Sequence, residues 1–555
     1  MILKYPLLLA LLSLLSCSGK KNEVHQSSVD TPFVWENANV YFLLTDRFNN
    51  GNPHNDVHFN RTEETGLLRG FEGGDLKGIT QKIKEGYFAD LGINVIWFSP
   101  VVEQIHGAVD EGTGNTYGFH GYWTKDWTAL EPNFGTEQEL AELVQAAHEQ
   151  GIRIMLDVVI NHTGPVTAKD PLWGDDWVRT DPQCRYQDYE STVTCTLVEN
   201  LPDIRTERDT PVELPKALLD KWAEEGRLQQ EMAELDDFFN ATGYPRTPRY
   251  YIIKWLTDYI REYGIDAFRL DTVKHTEESV WADLWREAMK AFAEWKEAHP
   301  EKVLDDNEFF MVGEVYNYGV SGGRWFDFGD RKVDYFAHGM QGLINFEFKH
   351  DAAKDYEAIF SKYSDALNGP LKELSIMNYV SSHDDGGPFD KQRKRVLEAG
   401  TKLLLCPGMS QVYYGDETGR SLDIEGTVGD ATLRSFMNWE ALAANEKVNG
   451  VPVQNILHHW QRLGQFRVAH PSVGAGVHRM LSEQPYYFTR SYQSADYEDK
   501  VLVGLDLPHG EKTVEVHGVF NEGDNVTDYY SGKKAQVSKG RLHFNTDHDI
   551  LLLAY

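Results

Sequence analysis

The chain has 555 residues, enough to bury a large core and to form more than one domain. Hydrophobic residues make up 41% and charged residues 25%, which is typical of a globular protein and excludes an intrinsically disordered chain. The formal net charge is -32, with 86 acidic against 54 basic residues, so we expect no nucleic acid among the partners, whereas a neutral polymer is compatible with this charge.

The N-terminus has the pattern of an export signal. Lys4 precedes an apolar run over 7–15 that is too short to span a bilayer. The sequence LLSC at 14–17, which overlaps the end of this run, resembles a bacterial lipobox. It predicts a signal segment over 1–17, a lipid-modified Cys17 and a polar tether over 18–32. Stable anchoring requires more than one acyl chain, and Cys17 is the cysteine placed to carry them. We therefore expect a lipoprotein in the periplasm or anchored at the outer membrane. A soluble exported protein is the alternative.

Eight strand-like runs alternate with amphipathic stretches along most of the chain. They cover 40–48, 94–101, 152–161, 264–271, 309–315, 342–348, 375–381 and 406–414, and the sixth is the weakest. Between the second and third runs, Thr136 and Glu139 form a predicted capping box, and Gly151 ends the helix. Strand and helix repeated eight times predict an α/β fold, a parallel (β/α)8 TIM barrel, over 33–161 and 249–471.

The connection over 162–248 is too long for a simple barrel loop. It is rich in Asp, Trp, Pro and Thr and predicts a small inserted subdomain after the third strand. Cys184 and Cys195 lie close together in it, and an oxidising compartment would let them form a disulfide. Cys406 lies in the apolar run LLLCPGM, which predicts a buried free thiol.

The helical periodicity ends at about residue 472. Short apolar runs, such as those at 486–490, 501–507, 513–519 and 550–555, are separated by Gly, Asn and Asp turns. This pattern predicts a C-terminal antiparallel β-sandwich over 472–555.

Three carboxylates follow strand-like runs inside elaborate blocks: Asp271 in GIDAFRLDTVKH, Glu314 in FFMVGEV and Asp384 in NYVSSHDD. Parallel barrel strands deliver side chains from distant parts of the chain to one rim. Retaining cleavage of a glycosidic bond needs one carboxylate and one protonated carboxyl group, about 5 Å apart. The three blocks therefore predict a glycosidase.

These blocks, together with DVVINH at 157–162, resemble those of the α-amylase family (glycoside hydrolase family 13). Further blocks that match are VYFLLTDRF, FEGGDLKGI, HGYWTKDW, NLPDIRTE, VYYGDE and FMNW. The resemblance runs from about residue 40 into the C-terminal domain. Within the family the blocks are most similar to those of the periplasmic, maltohexaose-forming enzymes of bacteria.

The resemblance implies roles for the acidic residues. Asp271 corresponds to the nucleophile and Glu314 to the acid/base, while Asp384 would bind sugar hydroxyls and help to keep Glu314 protonated. Arg269 is two residues before Asp271, so on a strand both side chains point the same way, and Arg269 is the expected partner of the nucleophile.

Four further residues are expected to bind substrate by the same resemblance. His162 and His383 would hydrogen-bond the sugar that forms the covalent intermediate, and Tyr122 would stack on that sugar. Lys274 would border the leaving-group side, with a merely solvated charge as the alternative reading.

Calcium is the cofactor that the resemblance implies, because hard cations bind oxygens from carboxylates, amides and carbonyls. The segment NNGNPHND and the later GGD resemble a calcium loop of cyclodextrin-forming relatives; the alternative is a simple turn. The ligands implied there are Asn50, Asn52, Asn55, Asp56, Gly73 and Asp75. A second site would use Asn161, Asp203 and the carbonyl of His275.

The expected activity is retaining endo-hydrolysis of α-1,4-glucosidic bonds in maltodextrins, starch or glycogen, by a monomer whose partner is the α-glucan. Glu199 stands where chain-cyclising relatives carry an aromatic residue, which favours hydrolysis over transfer. A transglycosylase or an exo-acting α-glucosidase is the alternative on the same barrel. A non-catalytic glucan-binding protein is a remote alternative, since all three acids are present.

Overall fold

The computed structural model describes residues 31–555. The predicted signal segment, Cys17 and most of the tether lie outside the described residues. No helix within 31–555 is long and apolar enough to cross a membrane.

Eight parallel strands close into a barrel in their sequence order, which confirms the predicted (β/α)8 architecture. The sixth run, the weakest in the sequence, does form a strand. The barrel strands are β1 Asn39–Leu43, β2 Val95–Phe98, β3 Arg153–Val158, β4 Ala267–Leu270, β5 Phe310–Gly313, β6 Gly342–Asn345, β7 Ser375–Tyr379 and β8 Met409–Tyr413.

The hydrogen-bond ladder of the barrel continues one residue beyond β4 and β5. The Asp271 N–H donates to the carbonyl of Val158 at 3.0 Å, and the Glu314 N–H donates to the carbonyl of Leu270 at 2.9 Å. These bonds fix the backbone of both acids at the carboxyl ends of neighbouring strands, which is the rim where barrel active sites form.

The helices lie between and around these strands. The one after β2 begins at the predicted capping box, in which Thr136 and Glu139 bond reciprocally, and Gly151 follows its end at a φ of +70°. The α-helices are Thr45–Phe48, Leu76–Lys84, Tyr87–Asp90, Glu137–His148, Glu190–Val193, Lys216–Glu224, Leu228–Thr242, Pro248–Tyr263, Glu278–Ala298, Phe348–Asp351, Tyr356–Leu367, Val396–Leu404, Trp439–Ala444, Val453–Ala469 and Ser472–Ala475. The 3-10 helices are Trp35–Asn37, Val273–His275, Pro300–Lys302, Val320–Gly322, Tyr335–His338 and Gly429–Leu433.

Two long connections rise over the rim. The segment between β3 and β4 contains a short antiparallel pair, Val178–Arg179 with Asp203–Ile204, and the predicted disulfide between Cys184 and Cys195 is confirmed. The connection after β2 also carries an antiparallel pair, Val102–Gln104 with Thr124–Leu130, which the sequence did not predict. The other short pairs are Val109–Asp110 with Asn115–Thr116, Phe326–Asp327 with Lys332–Val333, and Lys447–Val448 with Val451–Pro452.

The C-terminal region is antiparallel, as predicted, and is built from a six-stranded and a two-stranded sheet. The larger sheet contains Val477–Ser482, Tyr486–Gln493, Glu498–Leu505, Leu551–Ala554, Asn525–Asp528 and Lys533–Gln536, and the smaller one contains Gly510–Glu515 and Arg541–Thr546. A separate apolar core that includes Leu502, Val514 and Leu542 stabilises it. Cys406 is a buried free thiol near the barrel base, as predicted, and burial raises its pKa.

Candidate active site

One buried guanidinium joins two of the three predicted acids. Arg269 is only 1% exposed; its Nη1 donates to Asp271 Oδ1 at 2.8 Å, and its Nη2 lies 3.1 Å from Glu314 Oε2. A charge buried this deeply is tolerated only when it is paired and hydrogen-bonded. The arginine therefore holds both carboxyl groups in one cluster on the rim.

A third acid of this cluster, Asp157, was not among the predicted site residues. Asp157 lies opposite Arg269 in the β3 and β4 register and accepts a hydrogen bond from its Nη1 at 2.9 Å. Asp157 also accepts from the Tyr122 hydroxyl at 2.8 Å and from the Trp97 indole nitrogen at 3.0 Å. The available signal was an acid inside an apolar strand, which requires a buried partner.

The environment of Glu314 favours its protonated form. Burial and the negative charges of Asp271 and Asp384 raise the pKa of Glu314 to about 8, although Arg269 and a hydrogen bond from the Thr272 N–H at 2.8 Å oppose this shift. At neutral pH this carboxyl group can therefore donate a proton.

The environment of Asp384, in contrast, favours its ionised form. Its side chain is 36% exposed, and it accepts a hydrogen bond from the Ser382 hydroxyl at 3.2 Å. Partial burial opposes its ionisation, yet His383, Arg269 and Arg434 outweigh this effect and hold the pKa of Asp384 below its usual range. Glu314 and Asp384 are thus pushed apart in pKa, which is the arrangement that acid catalysis requires.

Aromatic and imidazole rings form one wall of the site. The Tyr122 ring stacks on the His383 ring with centroids 5.2 Å apart, and His162 Nε2 lies 3.2 Å from the Tyr122 carbonyl oxygen. Burial lowers the pKa of His162 and lowers that of His383 to about 4, so both rings are neutral at pH 7 and each can donate and accept one hydrogen bond. His120, which accepts from the Tyr122 N–H at 3.1 Å, supports the wall and was not predicted.

Lys274 is not a solvated surface charge, because the residue is only 8% exposed. Its Nζ donates to the Tyr316 carbonyl at 3.2 Å and lies 5.3 to 5.7 Å from the ring centroids of Tyr186, Tyr316 and Phe326. Burial lowers its pKa, against the charge of Glu314. The interaction with Glu314 places the ammonium beside the cluster that Arg269 holds together.

The loop after β1 gathers part of the predicted calcium ligands. The Asn50 amide nitrogen donates to Asp56 Oδ1 at 2.9 Å, and a Cβ built on Gly73 would lie 2.8 Å from that oxygen. The side-chain oxygens of Asn50 and Asn55 are buried and accept no hydrogen bond from any residue in 31–555. Buried oxygens without donors are costly, and hard cations bind such oxygens, so these residues fit calcium.

Asp75 and Asn52 have other contacts in the same loop. The Asp75 carboxylate caps the helix Leu76–Lys84 by accepting the Gly78 N–H at 2.6 Å, and it also accepts the N–H groups of Gly51 and Asn52 at 3.0 and 2.8 Å. Both of its oxygens therefore have backbone donors. Direct ligation by Asp75 or Asn52 stays a prediction.

The second predicted calcium set lies where the long insertion leaves the barrel. Asp203 is 2% exposed, its Oδ2 pairs with Arg179 Nε at 2.7 Å, and its Oδ1 accepts no hydrogen bond within 31–555. The Asn161 carbonyl accepts the Ile204 N–H at 2.8 Å, which brings the two ligand candidates together, while His275 Nδ1 lies 2.9 Å from the Thr192 carbonyl. No group of three His, Cys, Asp or Glu side chains in the described chain is arranged for a metal, so both sets would need amide and carbonyl oxygens beside their carboxylates.

Comparisons with known proteins agree with this geometry. Residues 42–462 match the family described as "Alpha amylase, catalytic domain". The chain is 35% identical to the periplasmic alpha-amylase of Escherichia coli (strain K12) over 544 residues, which cover 86% of this chain and 73% of that protein. It is 24% identical to the cyclomaltodextrin glucanotransferase of Thermoanaerobacterium thermosulfurigenes, covering 82% of this chain and 58% of that one.

Solved structures share the fold. The alpha-amylase of Geobacillus thermoleovorans in complex with acarbose superposes with a TM-score of 0.64 at 19% identity, covering 94% of this chain and all of that one. The Anoxybacillus alpha-amylase gives a TM-score of 0.63 at 22% identity, covering 94% and 99%. The family match over most of the barrel and the 35% identity together show that this chain belongs to the α-amylase family of glycoside hydrolases.

Proposed function

We propose that the protein cleaves internal α-1,4-glucosidic bonds with retention, using Asp271 as nucleophile and Glu314 as acid/base. The observation that carries this proposal is the single guanidinium of Arg269 shared by the two carboxyl groups. Retaining enzymes hold their carboxyls about 5 to 5.5 Å apart, whereas inverting enzymes leave about 6.5 to 9.5 Å for a water molecule. Two carboxyls within reach of one guanidinium favour the shorter spacing.

The proposed reaction has two steps. Asp271 attacks the anomeric carbon while Glu314 gives its proton to the departing glycosidic oxygen, which leaves a glucosyl ester on Asp271. Glu314, now a carboxylate, takes a proton from water, and the resulting hydroxide attacks the same carbon and releases Asp271. Arg269 stabilises the carboxylate of Asp271 before the attack and after the release.

Substrate binding is assigned to the wall beside these acids. Tyr122 offers a ring face to the sugar in the subsite of the intermediate, and the neutral His162 and His383 hydrogen-bond its hydroxyls. The ionised Asp384 accepts hydroxyl hydrogen bonds and keeps Glu314 protonated through its charge. Lys274 borders the leaving-group side.

Transfer to a sugar acceptor is the competing activity, because relatives include a cyclomaltodextrin glucanotransferase. The exposed Glu199, in place of an aromatic residue, supports hydrolysis. We expect incubation with maltohexaose to give α-anomers first by NMR and a falling mean chain length by chromatography. An initial β-anomer would contradict retention. Products longer than the substrate as the main early species would show transfer, and one small product released from chain ends would show exo-action.

Calcium is proposed to stabilise the loops rather than to react. The candidate ligands lie after β1 and at the root of the insertion, outside the contacts that join Asp271 to Glu314. An ion that binds only the folded protein raises its stability by about 2.7 kcal/mol at a hundredfold excess over Kd. We expect a chelator to lower Tm first and activity only as the loops loosen. Purified protein without calcium, and with an unchanged Tm in chelator, would refute this.

The sharper probe of the calcium loop is Asp56→Asn rather than a change at Asp75. Loss of the Asp75 cap would cost about 1 kcal/mol with or without metal. Asp56→Asn keeps the side-chain volume but removes a ligand charge, so we expect it to reduce the calcium-dependent rise in Tm. Asp306→Asn, at an exposed acid before β5, is the matched control.

Export with a lipid anchor at Cys17 is proposed from the lipobox-like sequence and supported by the periplasmic relative. We expect Cys17→Ala to move the protein from the membrane fraction to the soluble fraction without a change in kcat, because the barrel begins beyond the tether. Failure of labelled fatty acid to enter the wild-type protein would contradict the anchor.

A further inference from the structure

A cavity of about 950 Å³ lies on the outside of the barrel, between it and the C-terminal region. The starts of helices Tyr356–Leu367 and Val396–Leu404 form one side, and the turn over 483–485 with the ends of two C-terminal strands forms the other. Ligand sites favour such interfaces, and this volume falls in the range of about 300 to 1,000 Å³ that small-molecule sites show. The catalytic carboxylates do not line this cavity, so it is a second, separate space.

Two partly buried tyrosine residues, Tyr356 and Tyr486, line this cavity. The rings of Tyr356 and Tyr486 are nearly parallel, with centroids 6.1 Å apart and planes 12° apart. The Tyr486 hydroxyl donates to Glu357 Oε2 at 2.8 Å, which fixes the orientation of that ring. One ring comes from the barrel and the other from the C-terminal region, so only the folded interface brings them together. Ordered, parallel aromatic faces are suited to stacking against the flat face of a sugar ring.

Free hydrogen-bond acceptors surround these rings. The carboxylates of Asp355, Asp506 and Asp549 line the cavity, and within 31–555 none of them has a hydrogen-bond or ion-pair partner. Lys402, the lysine of the described lining, is buried and already bonded to the carbonyls of Ala352 and Lys354 at 2.7 Å each. Its Nζ also pairs with Glu398 Oε1 at 2.7 Å and lies 5.4 Å from the Tyr356 ring centroid. Among the described residues the cavity thus offers acceptors for hydroxyl groups but no free cation for an anionic ligand.

We propose that this cavity is a second α-glucan site, in which a chain segment stacks on Tyr356 and Tyr486 while the free carboxylates accept its hydroxyl hydrogen bonds. A neutral polyhydroxyl ligand fits the combination of ring faces and acceptors. A metal ion fits it less well, because no three of these side chains within the described residues are arranged to hold one. The inference rests on the proposed α-glucan substrate and adds to it a second point of attachment for long chains.

The number of sites can be counted in an inactive background. Glu314→Gln should bind maltohexaose without consuming it, and calorimetry should find two sites per chain. Adding Tyr356→Ala and Tyr486→Ala should leave one site, whereas adding Tyr356→Phe, which keeps the ring, should leave two. A single site in Glu314→Gln overturns the inference. If wild-type protein cleaves no α-glucan at all, the proposed function fails instead.

Activity separates the two sites in an otherwise unaltered enzyme. With both tyrosines replaced by Ala, we expect kcat on a short chromogenic maltooligosaccharide to change by less than about twofold, whereas KM for glycogen rises by about threefold or more as the second contact is lost. Equal KM values for glycogen contradict the proposal. Should the double variant not fold, hydrogen exchange of Glu314→Gln decides: maltohexaose should slow exchange over 483–487, and unchanged exchange there overturns the inference.

Discussion

Replacement of Asp271 by Asn is expected to lower kcat on maltohexaose by about 10⁴-fold or more, because loss of a nucleophile leaves only binding and electrostatic stabilisation. An amide is nearly the same size as a carboxylate but does not attack the anomeric carbon. The fold should persist, since Arg269 keeps its contacts with Asp157 and Glu314. Circular dichroism and Tm would check this. Asp306→Asn is the control for a lost acid elsewhere, and activity within tenfold of wild type would contradict the role of Asp271.

A smaller substitution gives a positive readout of the same role. Asp271→Ala leaves space for an external nucleophile, so azide is expected to restore part of the activity. Direct displacement inverts the anomeric centre, and the product should therefore be a β-glycosyl azide from an α-glucan. An α-glycosyl azide would mean that another group still forms a covalent intermediate.

Glu314→Gln is expected to remove most activity on maltohexaose but much less on α-glucosyl fluoride, because fluoride departs without a proton while a sugar alkoxide requires one. Gln has nearly the same volume as Glu but donates no proton to the glycosidic oxygen. Equal losses on both substrates would assign Glu314 to binding or positioning rather than to acid catalysis.

The pH profile tests the same group in the unaltered enzyme. Glu314 can act as the acid only when it is protonated. We therefore expect kcat/KM to be highest below the pKa of Glu314 and to fall as the pH rises through about 8. The charge of Asp384 contributes to that raised pKa, and Asp384→Asn should therefore move the basic limb to lower pH as well as reduce the rate. A basic limb that stays in place would remove Asp384 from this electrostatic role.

The disulfide and the cap show which features a local pattern can predict. Cys184 and Cys195 are separated by 11 residues within one polar segment, and Thr136 with Glu139 are three apart, so sequence distance already limits their geometry. The strand Val477–Ser482 was not predicted, for the opposite reason: it is mostly exposed and lacks the apolar alternation that marks a half-buried strand.

The acidic cluster at the rim also has one part that the sequence predicts and one part that it does not. That Asp271, Glu314 and Asp384 would meet followed from their positions at the ends of strand-like runs, because parallel strands of a barrel end at one rim. The partnership of Asp157 with Arg269 depends on the register of β3 against β4, which joins residues 112 positions apart. Both residues can be read from the sequence, but the register that places them opposite each other cannot.

The sequence by itself determined the barrel, its family and the three acids, because strand periodicity, helix caps and block order are local properties that survive without coordinates. Only the tertiary structure decided the states of the individual groups. Lys274 is a buried ammonium because Tyr186 from the long insertion and Tyr316 and Phe326 from the connection after β5 converge on it. Asp75 is a helix cap because its side chain accepts the Gly78 N–H at the helix start. The burial of a group and the charges around it depend on many neighbours that are distant in the chain. Together these neighbours set the pKa of the group and the geometry of candidate ligands.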